Sequence, residues 1–500
     1  MGSFSLATAT WALIAGYGGL VLFFVIRGAR RTQSISDYAV GSVAFSPVAV
    51  GLSLAASMTS AATFIINPGF IALYGISGII SLGVVFPLGA LISVYVLTKG
   101  FRKQGKAVKA LTMAQWIGNR YQNKNFALFF GFLSLLLITF IVLICVGMTK
   151  ILSKSLNVDE LYVLIGIVTF VFGYMMFGGA NSMVYTNMIQ AGVMVVVAVI
   201  LLTSGYEYFS AGVDGFLRKL ENIDPLLVQA TNPKSPLFRD FFEIIFCQII
   251  VGMAVVCQPH IITKSLLLKE EKDVNTYLRT GILIEILFFA VIIVGLYARI
   301  AMPDLTLNGE PVKMDGIVSA YVIKQFSIGV GLIVVLGLLS AGLSTLEGLV
   351  QSLSTTITSD IVKPLFGAEF FKNISEVWFN RLVIIGLGIA TILISYDQLI
   401  NPNLSVGIFA QNGVYAYFSA AFVPVLFGTF LRNVPLVAPA VASVTAVVVH
   451  FSIYYGGLTP YTDGVVRNPG VASALAILIS VVVGLVLWRV LPTKPDSTPA

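Results

Sequence analysis

The stretch Gly342-Leu343-Ser344-Thr345-Leu346-Glu347-Gly348 sets two hydroxyls and one carboxylate inside an otherwise apolar run. Ala341, Thr345, Gly348, Ser352, Thr355 and Ser359 recur at alternating steps of four and three, so a helix carries them on one face. All are small, and such a face lets two helices pack closely in lipid. Glu347 asks for more than packing, because an acid at bilayer depth costs about 2.5 to 3.5 kcal/mol on insertion scales. The helix is therefore expected to form one wall of an ion or solute site.

The elements that position these groups are membrane spans. Of 500 residues, 57% are hydrophobic and 11% charged, and the mean hydropathy is +0.94. These values lie outside the soluble range and imply one all-α integral membrane domain over residues 1–500. The net charge of +7 comes from basic residues in short loops, where they orient a membrane protein, so no nucleic-acid partner is expected. Cys145, Cys247 and Cys257 all lie in apolar runs without metal-site or disulfide spacing and read as packing residues. The first apolar run has no Lys or Arg ahead of it and reads as a retained span rather than a signal peptide.

Runs of about 20 apolar residues cross the hydrocarbon core. Thirteen are found: 7–26, 45–73, 76–98, 126–152, 161–177, 183–204, 241–264, 276–300, 327–361, 380–397, 402–430, 434–456 and 469–490. With the N-terminus outside and the C-terminus inside, the inward loops and tail hold 20 of the 30 Lys and Arg residues, Lys264 and Lys494 among them, as the positive-inside rule favours. Asn67-Pro68-Gly69 is expected to interrupt the second span, and Gln258-Pro259-His260 the seventh. Two interrupted spans five apart point to an inverted repeat, spans 2–6 and 7–11, around a midplane site. That core would cover 45–430, with two peripheral helices over 434–490. Gly178 to Ser182 should form a tight turn, while 205–240 reads as a turn-rich loop and Pro492 to Ala500 as a polar tail.

Ser57-Met58-Thr59-Ser60-Ala61 with Asn67-Pro68-Gly69, Gly178-Gly179 with Tyr185 to Gln190, Gln258-Pro259-His260, and Leu343-Ser344-Thr345 running to Thr358-Ser359-Asp360 follow one another through spans two to nine. Together they resemble the sodium/solute symporter family, which includes proline, pantothenate, monocarboxylate and sugar transporters. The resemblance implies a sodium site made of the main-chain carbonyls of Ala56, Thr59 and Ala341 and the hydroxyls of Ser344 and Thr345. Oxygen donors suit a hard cation. Without a carboxylate among the five, the site should release its ion on the low-sodium side. Met58 stands where a proline carrier resembling this chain has Asp, and Asn187 where two-sodium carriers have Asp, which argues against proline and a second ion. Val255, Val256 and Cys257 bring the pattern nearer to pantothenate-type members.

The solute is expected beside the ion, contacted by Ser60, Thr63, Asn67, Gln258 and Gln411. An organic acid could also use the amides at an unwound helix N-terminus. Glu347 admits three chemistries: a proton-binding site, a counter-ion to a cationic solute, or a carboxylate held by hydroxyl neighbours. Glu285 reads as structural, Glu243 as lying at the outer end of the seventh span, His260 as part of a packing motif and His450 as interfacial. The implied activity is sodium-coupled import of an organic acid, vitamin or amino acid across the plasma membrane, with sodium as co-transported ion and no cofactor. The protein would be a monomer or loose oligomer in lipid. Proton coupling through Glu347 is the alternative. A membrane enzyme lacks its usual parts here, and a sensor would be expected to carry a longer appended domain than this tail.

Overall fold

Apolar runs that cannot hydrogen-bond to lipid close their backbone bonds internally, and the chain does so almost entirely with helices. The computed structural model describes residues 6–372, 374–401 and 405–492. The expected polar tail beyond Pro492, including Lys494, and the first three residues of the expected eleventh span lie outside the described residues.

Among the described residues, eleven helices are long and apolar enough to cross a membrane. Two further bent pairs bring the count up to thirteen if each pair is one span. In order they are Thr8–Ala29, the pair Pro47–Met58 and Ala62–Tyr74, Ile76–Gly105, Lys124–Leu156, Glu160–Gly178, Ala180–Phe209, the pair Phe242–Val255 and Pro259–Leu267, Asp273–Ala301, Ile328–Gly367, Glu376–Ile400, Val406–Phe430, Val437–Gly456 and Pro469–Val490. They are numbered one to thirteen below.

Local sequence explains many of the helix starts. Asp159, Ser375, Ser405 and Asn468 each accept a backbone N–H of the first turn, satisfying a donor that the helix leaves open. Ser46 does the same for span two, which opens on Pro47. Between spans five and six, Gly179 turns at φ +57°, and a Cβ there would sit 2.7 to 2.9 Å from Tyr38. Spans two and eight approach closely through Gly51, where a Cβ would lie 2.7 Å from the Tyr277 carbonyl oxygen. About two helical turns further along both spans, Thr59 meets Glu285.

The second span breaks elsewhere than expected. Its 51° bend falls between Met58 and Ala62, with Thr59 extended at φ −94°, ψ 111°. Asn67-Pro68-Gly69 does not break it: Pro68 occupies the first turn of Asn67–Tyr74, where a missing N–H is harmless. A π-helical turn over Ala62–Ile66 leads into it. The seventh span bends by 57° before Pro259, with Gln258 extended at φ −78°, ψ 137°, where the sequence placed it.

Three other expectations are corrected. Residues 205–240 hold the helices Tyr206–Phe209, Gly212–Glu221 and Pro225–Val228 rather than only turns. Lys264 is not in an inward loop but within the second half of span seven, 3% exposed. His450 is not interfacial; it is buried against the carbonyl and side-chain oxygens of Asn412. The one sheet among the described residues is the two-residue pair Thr306–Leu307 with Glu310–Pro311.

Candidate functional site

Breaking span two after Met58 frees carbonyl oxygens that a continuous helix would use, and span nine supplies the groups that meet them. Ser344 Oγ lies 2.7 Å from the Ala56 carbonyl and 3.1 Å from that of Ala341. Thr345 Oγ1 lies 3.2 Å from the Thr59 oxygen, 3.3 Å from Ala341, 3.4 Å from Ser57 and 3.5 Å from Ala56. Thus all five oxygens expected at a sodium site come together, with the Ser57 carbonyl as a sixth neighbour that the sequence reading omitted. Oxygens held at about 2.3 to 2.6 Å around a hard cation lie roughly 3.2 to 3.7 Å apart at right angles. The Thr345 spacings fall in that range. The shorter Ser344 contact is a hydrogen bond, and a hydroxyl can turn its proton aside and offer a lone pair instead.

The cluster is buried and uncharged, but a carboxylate stands one residue away. Thr59 Oγ1 lies 3.0 Å from each oxygen of Glu285, which is fully buried in span eight. Sequence reading treated Glu285 as structural and did not connect it to the break. The signal was present only in three dimensions, through the Gly51 contact.

Glu347 faces elsewhere. Its carboxylate accepts from Tyr174 Oη at 2.6 Å, Thr186 Oγ1 at 2.6 Å and Gln190 Nε2 at 3.0 Å, on spans five and six. Of the three chemistries open to it, this geometry matches a carboxylate held by hydroxyl and amide donors. Nearby, Lys264 Nζ donates to Ser53 Oγ at 2.9 Å, and Asn187 Nδ2 lies 3.1 Å from Ser53 Oγ and 3.3 Å from Ser57 Oγ. A buried lysine side chain therefore joins the polar network behind span two. Sequence reading missed it because Lys264 looked like the first residue of a loop.

Ser60, Thr63, Asn67, Gln258 and Gln411, expected from five scattered positions, all line one cavity beside the break. It leaves about 100 Å3 in which the centre of a water molecule can move, against the ~10 to 15 Å3 that holds one water. Met58, Phe86, Phe140, Phe289 and Tyr415 supply much of its apolar wall. His260 also lines it, and packs edge-on to Phe140 with ring centroids 6.0 Å apart. Gly348, on the small face of span nine, faces His260, and a Cβ there would meet His260 Cβ at an ordinary contact distance of 3.4 Å. Ser60 Oγ accepts the Ala62 N–H at 3.0 Å, so one amide at the start of the second segment is already capped.

The sequence matches the family model described as "Sodium:solute symporter family" over residues 38–435. The chain is 26% identical over 418 residues to a sodium/pantothenate symporter of Haemophilus influenzae, covering 80% of this chain and 81% of that one. It is 24% identical over 416 residues to the high-affinity proline transporter of Bacillus subtilis, covering 79% and 82%. In fold it is similar to a Na+-coupled sialic acid symporter solved in a substrate-bound, outward-open state, with a TM-score of 0.78 at 17% identity, covering 98% of this chain and 99% of that one. The family match runs from the short helix before span two through span eleven and so contains both bent spans, the hydroxyl pair and the cavity; the chain belongs to the sodium:solute symporter family.

Proposed function

We propose that this protein is a sodium-coupled secondary active symporter that imports a small organic solute by alternating access, with Ala56, Thr59, Ala341, Ser344 and Thr345 as the sodium ligands. The observation that carries this reading is the convergence of the Ser344 and Thr345 hydroxyls on the carbonyls at the break in span two. An ion shared by a broken and a continuous helix favours the arrangement in which both contribute. If that arrangement also binds solute well, each ligand raises the other's affinity by the same factor. One positive charge moving inward contributes about 2.3 kcal/mol per 100 mV, which adds to the sodium gradient in driving uptake.

The solute site in this reading is the cavity lined by Ser60, Thr63, Asn67, Gln258 and Gln411, next to the ion site. The two bends of 51° and 57°, five spans apart, support an inverted repeat of spans two to six and seven to eleven within a thirteen-span chain. Spans twelve and thirteen would be peripheral. The excess of basic residues on one side supports an outer N-terminus and an inner C-terminus in the plasma membrane. Glu347, with three donors and no place on the cavity wall, serves structure rather than proton coupling in this account.

The test is uptake of a radiolabelled panel of organic acids, vitamins and amino acids into proteoliposomes, with an inward sodium gradient, with sodium balanced, and with a proton gradient alone. Concentrative uptake of a panel member under the sodium gradient only is expected. Uptake driven by protons and indifferent to sodium would overturn the proposal.

A further inference from the structure

Gln258 and His260 flank Pro259 at the bend of span seven, are each 2% exposed, and both stand on the cavity wall. Gln258 Nε2 donates to the Val255 carbonyl at 3.1 Å, which fixes the amide orientation because that carbonyl can only accept. Its Oε1 has no protein partner, and neither ring nitrogen of His260 has one. Buried polar atoms are ordinarily hydrogen-bonded, so three such atoms at one wall mark a place where an entering molecule supplies the missing bonds.

Their chemistry selects what can enter. The unpaired Gln258 Oε1 can only accept, while the second hydrogen of its Nε2 can donate and a neutral imidazole offers one donor and one acceptor. An ionised carboxylate brings acceptors alone, so it would leave Gln258 Oε1 without the donor it needs. An ammonium would bring donors, but none of the cavity-lining residues is an Asp or Glu to balance its charge, and an uncompensated buried charge is costly. Hydroxyls and secondary amides both donate and accept, and they match the set. The remaining wall, Phe86, Phe140, Phe289 and Met58, suits short aliphatic stretches between such groups.

We infer that the solute is recognised at Gln258 and His260 through a hydroxyl- or amide-bearing, uncharged head, any carboxylate it carries lying away from this wall. His260 is thereby a specificity-determining residue. The inference deepens the symporter reading and rests on the cavity being its solute site.

Thermal stabilisation of the purified protein tests it, in sodium chloride and again in potassium chloride, with four probes. Pantothenate carries hydroxyls, an amide and a carboxylate; pantothenyl alcohol keeps the head without the acid; propionate is a bare carboxylate; and proline carries an ammonium. The two hydroxy-amides are expected to stabilise the protein in sodium, with propionate and proline at least tenfold weaker. His260→Ala should weaken the hydroxy-amides at least tenfold while leaving sodium binding intact, and His260→Gln, which keeps a donor and an acceptor, should restore part of the loss. Binding of neither hydroxy-amide, binding of propionate or proline as tight as theirs, or an unchanged affinity in His260→Ala would overturn the inference. Hydroxy-amides binding equally well in potassium would support the solute class and count against sodium coupling, so the two readings fail separately.

Discussion

Replacing Thr345 with alanine removes a single oxygen that lies 3.2 to 3.5 Å from the carbonyls of Thr59, Ala341, Ser57 and Ala56. A hydrogen-bonding group acting on a charged partner is worth about 1.5 to 3 kcal/mol. At ~1.4 kcal/mol per factor of ten, the loss corresponds to roughly a 10- to 140-fold weaker sodium affinity. Thr345 is fully buried but small, and its removal leaves Ser344 on the Ala56 carbonyl, so the fold should persist. Thr345→Ser keeps the oxygen and should retain most of the affinity. Binding of radioactive sodium to the purified variants, at matched monodispersity, reads the effect directly. A Thr345→Ala protein that binds sodium as tightly as the parent would show that this oxygen is not a ligand, and the cage would lose its best-connected member.

Other perturbations separate positioning, gating and packing. Glu285→Ala deprives the Thr59 hydroxyl of its partner and should weaken sodium binding, while Glu285→Gln, still an acceptor, should preserve it; equal losses in both would implicate charge instead of positioning. Asp315 accepts from Ser405 Oγ at 2.7 Å and the Val406 N–H at 3.2 Å and pairs with Lys150 at 3.4 Å. Breaking a buried pair from one side costs about 3 to 5 kcal/mol, so Asp315→Ala should lower the melting temperature clearly, and an unchanged melting curve would refute the latch between spans four and eleven. A Cβ at Gly252 would fall 2.4 Å from the Phe86 carbonyl oxygen, backbone that cannot yield, so Gly252→Val should abolish monodisperse protein in size-exclusion chromatography.

What could be read in advance divides by length scale. The hydroxyls of Ser344 and Thr345 share a helical face with Ala341, a fact of spacing, and the five cavity residues are polar in apolar runs, so both sets were visible. The bend before Pro259 was visible because the residue ahead of a proline is pushed out of the helical region. The same logic misplaced the bend in span two. Pro68 sits in a first turn after a π-helical turn, and the actual break at Thr59 and Ser60 carries neither proline nor glycine. It is held open by partners on other helices, Glu285 and Thr345, which no local pattern reveals. Lys264 was misread for a related reason. A charge near the end of an apolar run looks like a loop until tertiary contacts bury it, as Ser53 does here.

The central claim is that one ion couples a broken helix to a continuous one and thereby to the solute. For the solute that the uptake panel identifies, its dissociation constant measured with and without sodium, and that of sodium with and without solute, should change by one common factor. The combined change Ser344→Ala and Thr345→Ala should bring both factors to unity. A solute affinity that is the same in sodium and in potassium would contradict the account.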